Sequence, residues 1–390
     1  MRKVRVLAFA FAMAVGGVTL GQPPPPVQQG PTTQPATQPT TQPTGQGAQS
    51  VQQIATFISD DAVAVARLDL PRVNPKAVED WLNGFIEAAE PDPQVRQLQM
   101  DKLHNQTQAV QNWTSKMRQA GVEAVYAILN RQTQPVQAGP GEPQEILAAM
   151  IVVPLKPGEN PQTIQDLLLP KNQGQQGDAG QRPATAVIRD AVVLAPKNWL
   201  DRLQQPAQRD VQGVQQAMTS VEGSAIQLTF LPSAKMREVA AAMADQSGGN
   251  LPQGVTPQDL KVISQDMQWM AIGLDTPPQQ ALRGVVQASN PQSAQEMLAT
   301  IHKLLDAAKQ NKTFATRVPN PERVLKMLTP TAVGDRLTVT LDSQQMDQLF
   351  KQDIATALRN IRSEQPIRAG EMPQGQQGQQ HPQEGAEPRR

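Results

Sequence analysis

A capping residue directly before a proline repeatedly introduces a helical pattern along this chain: Asn74-Pro75, Asp92-Pro93, Asn160-Pro161, Thr256-Pro257, Asn290-Pro291 and Asn320-Pro321. The residue before proline is pushed out of the helical region, as an N-cap must be, while proline at the first helical position gives up no intrahelical bond. Each pair therefore marks a helix start. The apolar spacing that follows agrees. After Asn74 come Val78, Trp81, Leu82, Phe85 and Ile86, and after Asn290 come Ala294, Met297, Leu298, Ile301, Leu304, Leu305 and Ala308, a stripe of helical period. A further helix is predicted after Ser343, with Met346, Leu349, Phe350, Ile354, Leu358 and Ile361 on one face.

Between the helices lie short apolar or alternating runs that read as strands. They are Ala62 to Leu70, Val122 to Leu129, Ile146 to Leu155, Ala184 to Ile188, Ala191 to Ala195, Ala225 to Leu231, Met267 to Leu274, Ala281 to Ser289, a short piece near Ala332, and Arg336 to Leu341. Arg189-Asp190 and Gly334-Asp335 each separate two such runs and read as tight hairpin turns. The element order from 62 to 204 is strand, helix, helix, strand, strand, helix, strand, strand, helix. It recurs from 224 to 362 with one extra short helix at Pro321. The expected fold is therefore α+β in two similar halves, each a mainly antiparallel sheet with helices on one face, an extended ferredoxin-like βαββαβ unit. The twin half is the expected cover for the other face. The first half spans 51–204, a partly helical connector carrying Val211, Val214 and Met218 spans 205–222, and the second half spans 223–365.

The ends differ in kind. Arg2, Lys3 and Arg5 precede the 15-residue apolar run Val6 to Leu20, and small Gly21 follows. This has the layout of a signal peptide over 1–21 and is shorter than the roughly 20 residues that span a bilayer as a helix. An uncleaved anchor is the alternative. Residues 22–50, opening with Pro23 to Pro26 and carrying no charge, read as a disordered Pro/Gln/Thr linker, and 366–390 as a disordered Gln/Pro-rich tail. Without Arg2, Lys3 and Arg5 the chain has 32 basic against 35 acidic residues, which gives no reason to expect nucleic-acid binding or charge-driven membrane adhesion. In layout the chain resembles uncharacterised exported bacterial proteins in which a Pro/Gln/Thr linker precedes a duplicated α+β region. The resemblance carries no specific motif and implies no activity.

Signals for chemistry are sparse. The chain has no Cys, which removes disulfides, thiolate metal sites and thiol nucleophiles. It has no Gly-x-Ser-x-Gly, no phosphate-cradling Gly-rich loop, no His-Glu-x-x-His and no Ser-x-x-Lys. Of three His, His381 falls in the tail, while His104 and His302 read as solvated flank positions on helices. Asp60, Asp61 and Asp69 are the candidate carboxylates for a hydrolase. Their blander reading is a turn before the first strand and an Arg67–Asp69 pair on one solvent face. Trp81, Trp113 and Trp269 read as core. Met236, Met243, Met267 and Met270 read either as core filling or as the lining of an adaptable apolar groove. No catalytic, cofactor-binding or metal residue is assigned and no cofactor is implied. The expectation is an exported, non-catalytic binding or structural protein of the cell envelope with an unknown partner or ligand. The alternatives are an apolar-ligand carrier using the cleft between the halves and a carboxylate-dependent hydrolase.

Overall fold

The computed structural model describes residues 51–59, 61–134, 144–169, 183–203, 211–247 and 251–364. The predicted signal, linker and tail, together with Asp60 and His381, lie outside the described residues. In chain order the first part comprises β1 (Ala62–Asp69), α1 (Pro75–Ala89), α2 (Pro93–Gln119), β2 (Ala124–Gln134), β3 (Gln144–Pro154), α3 (Pro161–Leu168), β4 (Pro183–Ile188), β5 (Ala191–Pro196) and α4 (Lys197–Leu203). The second comprises α5 (Gln212–Ser220), β6 (Ile226–Phe230), α6 (Ala234–Gln246), α7 (Pro257–Asp266), β7 (Met267–Asp275), β8 (Ala281–Ala288), α8 (Pro291–Gln310), α9 (Lys312–Arg317), α10 (Pro321–Leu328), β9 (Thr331–Val333), β10 (Arg336–Leu341), α11 (Ser343–Asp347) and, after a π-helical stretch Gln348–Ile354, α12 (Ala355–Glu364).

All six predicted prolines open a helix, and five of the residues before them accept a side-chain hydrogen bond from the first turn: Asn74, Asp92, Asn160, Thr256 and Asn290. At Thr256 the box closes in both directions with Asp259, whose carboxylate also lies 2.6 Å from Lys303 Nζ. The Lys303 ammonium and the Thr256 hydroxyl together hold the Asp259 carboxyl down at about 2. Arg189 and Gly334 take left-handed backbone at the two predicted hairpin turns.

The ten strands form one antiparallel sheet in the order β4-β5-β3-β2-β1-β6-β7-β8-β10-β9. The halves expected to pack face to face are instead joined edge to edge through β1 and β6, with Val65 opposite Thr229 and Arg67 opposite Gln227. Outward from that seam, each side runs through the first, second, third, fifth and fourth strands of its part of the chain. The ferredoxin-like arrangement is not what forms, and the parity of helices between strands accounts for it. One helix returns the chain to the starting end and makes the next strand parallel. Two helices, α1–α2 or α6–α7, cancel each other and leave β1–β2 and β6–β7 as antiparallel neighbours. The later crossovers contain one helix, α3, or three, α8–α10. Both are odd, so β3 runs parallel to β4 and β8 to β9, with β5 or β10 inserted between.

Helices cover both faces rather than one. On one face α2 and α3 pack over Val125, Val153, Val192 and Leu194. On that same face α7 and α8 cover Val286 and Leu337, while α10, α11 and the π-helical stretch cover Leu274, Leu282 and Leu341. The opposite face, with Val65, Tyr126, Ile128, Met150, Val152 and Val193, is sealed by residues 51–57, by Trp199 and Leu200 of α4, and by Val214 and Met218 of α5. The segment read as a connector is thus core. Its presence reverses β6: Gln227 and Thr229, on its side, are 1% and 0% exposed, whereas Ile226, Leu228 and Phe230 on the other side are only half-buried.

Candidate functional site

Of the carboxylates named from the sequence, the two among the described residues, Asp61 and Asp69, stand at opposite ends of β1 and do not converge. Asp61 is exposed at the mouth of β1, and its carbonyl accepts the Arg131 amide. Asp69 accepts a 3.0 Å bond from Arg67, the pair expected two residues apart on a strand, but the pair is half-buried beside Tyr126 and Gln227 rather than on a solvent face, with Arg72 3.8 Å away. Other carboxylates are committed to packing. Asp347 Oδ1 accepts from Trp81 Nε1 at 2.8 Å, Gln280 Nε2 at 2.7 Å and Lys351 Nζ at 3.0 Å. Burial pushes its carboxyl up, but bonds from Lys351, Trp81 and Gln280 prevail and hold it below its ordinary value. This network pins α1 to the C-terminal helices, and Trp81 completes it with an edge contact to Phe350. Among the described residues no group of three or more His, Asp or Glu could hold a metal ion.

His302 is exposed on α8, as expected. His104 is 53% exposed but differs from the expected free flank, because its ring lies 2.8 Å from the buried Glu79 carboxylate of α1. The tautomer with hydrogen on Nδ1 satisfies everything around it: Nδ1–H donates to Glu79, and Nε2 accepts from Gln108 at 2.8 Å. An apolar stripe read along α2 alone could not reveal this, since the partner lies on another helix. His104→Ala should therefore destabilise by about 1 to 2 kcal/mol, leaving a buried carboxylate short of a donor. His302→Ala should stay within about 0.5 kcal/mol. Paired thermal melts check this, and equal melting points would refute the Glu79 role.

What the seam brings together is apolar. Leu228 and Phe230 of β6 pair directly with Ile272 and Met270 of β7, so the four side chains form one patch on one face. All four are half-buried although they sit on central strands, and none belongs to a cluster of buried side chains. The clusters flank them on both sides, one around Leu274 and Leu282 and the other around Val286 and Met267. Ala64 and Ala66 of β1 continue the patch opposite Phe230 and Leu228 with short side chains. The result is an apolar patch of half-buried side chains between the two clusters.

The methionines divide in the same way. Met117, Met150, Met218, Met297 and Met346 are buried, whereas Met236, Met267 and Met270 are half-buried and Met243 is 46% exposed. Core filling holds for the first set and for Met267, which packs against a buried cluster, while Met243 lies on the solvent side of its helix, so the four do not share one groove. Trp269 is core, Trp113 packs from a half-buried position against the separate cluster around Met117 and Val125, and Trp81 is the hydrogen-bonded brace already described. On α6 the side turned from solvent carries Met236, Arg237, Ala240, Ala241 and Ala244, an unusually thin lining with one charge in it. Arg237 Nε is buried without a hydrogen-bond partner. Burial pulls this guanidinium below its usual value, with the Asp266 carboxylate acting the other way. The sequence flagged the methionines but not Arg237, because a charge in an alanine-rich helix reads as solvated.

Among the described residues no helix is long and apolar enough to cross a membrane. Comparison of the chain with family models, with curated proteins and with solved structures finds no match.

Proposed function

We propose that this chain is an exported, non-catalytic binding protein of the bacterial cell envelope, that its ligand is apolar, and that the ligand contacts the apolar patch at the seam. The observation that carries the reading is the incomplete burial of Leu228, Phe230, Met270 and Ile272 on strands whose opposite face is sealed. Side chains of this size at the centre of a covered sheet are ordinarily fully buried, and leaving them wet forgoes about 25 cal/mol per Å² of apolar surface. Ligand sites favour mostly apolar places between units of a fold. Export is supported by the cationic start and short apolar run ending at Gly21. That the two parts descend from one duplicated unit is supported by the shared strand order and by the matching Asn160-Pro161 and Asn290-Pro291 helix starts.

Binding of the uncharged dye Nile red tests the ligand class. The expected result is saturable emission with the wild type and loss of at least about tenfold in affinity for Leu228→Glu in a preparation that still melts cooperatively. No saturable binding by the wild type, or equal binding by the variant, overturns the reading. For export, the mature N-terminus should fall near Gln22, and a chain retained in membranes with Met1 intact would contradict it.

A further inference from the structure

We propose that this chain pairs with a second copy of itself through α6, the stripe Met236, Val239, Ala240 and Met243 docking antiparallel on the same stripe of the other copy. The stripe is apolar and open to solvent: Val239 is 39% and Met243 46% exposed, with Met236 and Ala240 half-buried at its edge. It lies on the flank of α6 turned from α7. Asp245 pairs with Lys261 of α7 at 2.6 Å, and the helical period of 3.6 residues sets the stripe about 170° round the helix from Asp245.

The other side of the sheet shows what such a flank meets. Helices α1 and α6 hold matching places, each following the strand at the seam and packing against the next helix. On α1 the flank away from α2 is covered by helix: Trp81 meets Asp347 and Phe350, Gly84 lies beside Lys351, and the Glu87 carbonyl accepts from Arg359. That cover comes from the segment after β10. The matching segment after β5 forms α4 and α5, which seal the opposite face instead, and Val239 and Met243 stay exposed. A second α6 fits the place. Spacings of three, one and three residues read the same in both directions, so a two-fold antiparallel pair sets Met236 against Met243 of the second copy and Val239 against Ala240. The short Ala240 side chain suits close approach of the two helix axes. Charges agree with this direction. Lys235 comes level, within about one residue, with Asp245 of the second copy, whereas a parallel pair would set Lys235 against Lys235 and Asp245 against Asp245. Contact along one 13-residue helix is small against the roughly 800 Å² per partner of a standard interface, so the expected Kd is weak, about 10 to 100 μM.

Sedimentation equilibrium of the full chain from about 1 to 300 μM tests the pairing. The wild type should pass from monomer to dimer, and Val239→Glu should weaken the dimer at least about tenfold while keeping a cooperative melt. Leu98→Glu, which puts the same charge at an exposed residue of α2, should leave the dimer unchanged. Because the chain has no Cys, oxidation of mixed Met236→Cys and Met243→Cys variants reports the register. The two variants should join to each other and neither to itself, since a disulfide needs Cα atoms within about 7 Å. A dimer that survives Val239→Glu, one lost equally in Leu98→Glu, or Cys variants that each join to themselves overturns the proposal. A wild type monomeric throughout also overturns it, and slow maleimide labelling of Val239→Cys in that monomer would put another segment of the chain on the stripe.

Discussion

Replacing Arg323 by Ala should cost the fold about 3 to 5 kcal/mol, the range for breaking a buried ion pair by removing one partner. Asp353 is 0% exposed, and its Oδ1 accepts from Arg323 Nη2 at 2.7 Å across the gap between α10 and the π-helical stretch. Its Oδ2 and the Nε of Arg323 are both buried without partners, so one arm of the fork carries the whole compensation. The wide turn of Gln348–Ile354 is what brings Asp353 inward, since a π-helical insertion rotates the residues after it relative to the stripe before it. Without the guanidinium a carboxylate is left in an apolar cluster with Leu349 and Ile354 on either side in sequence. At roughly 2 °C per kcal/mol for a chain of this size, the melting point should fall by about 6 to 10 °C. The double change Arg323→Met with Asp353→Leu should recover most of that, because matched apolar side chains replace a buried pair at little cost. A loss under about 1 kcal/mol for the single variant, the value of an exposed pair, would show that Asp353 is compensated by something other than Arg323.

The sequence revealed what is decided locally. N-caps followed by proline, left-handed turn positions and strand alternation depend on a few adjacent residues, and the helix starts at Asn74, Asp92, Asn160, Thr256, Asn290 and Asn320 follow from backbone sterics alone. What it did not reveal was set across the chain. That β1 offers its free edge to β6 is a choice between partners that no local pattern encodes. The even number of helices after β1 was visible, but its consequence for strand direction was missed, and with it the sheet order. In β6 the alternation was read, but not that the polar residues Gln227 and Thr229 would lie under α5, with Gln227 Oε1 and Thr229 Oγ1 buried unpaired. The candidate site escaped for the same reason. Leu228, Phe230, Met270 and Ile272 look like core in sequence, and only the placement of helices to either side leaves them incompletely buried.

The segment between the halves gives the second large effect. Met218→Ala should destabilise by about 2 to 5 kcal/mol, the range for truncating a fully buried side chain. Met243→Ala, at a side chain 46% exposed, should stay within about 0.5 kcal/mol. Met218 is 0% exposed in a cluster with Val65, Ile128 and Met150, all before the connector. Ala217 and Val221, one turn face away, pack against Trp269, Ala271 and Val285, all after it. Helix α5 therefore straddles the β1–β6 seam, touching one half with Met218 and the other with Ala217. A cavity under Met218 loosens α5 itself, so its effect should cross the seam. Amide exchange should accelerate in β7 as well as in β2, and thermal melting should remain a single transition at lower temperature. Loss of protection confined to β2, with β7 unchanged, would mean that the halves unfold independently and that α5 is a linker lying on the sheet rather than the piece that joins it.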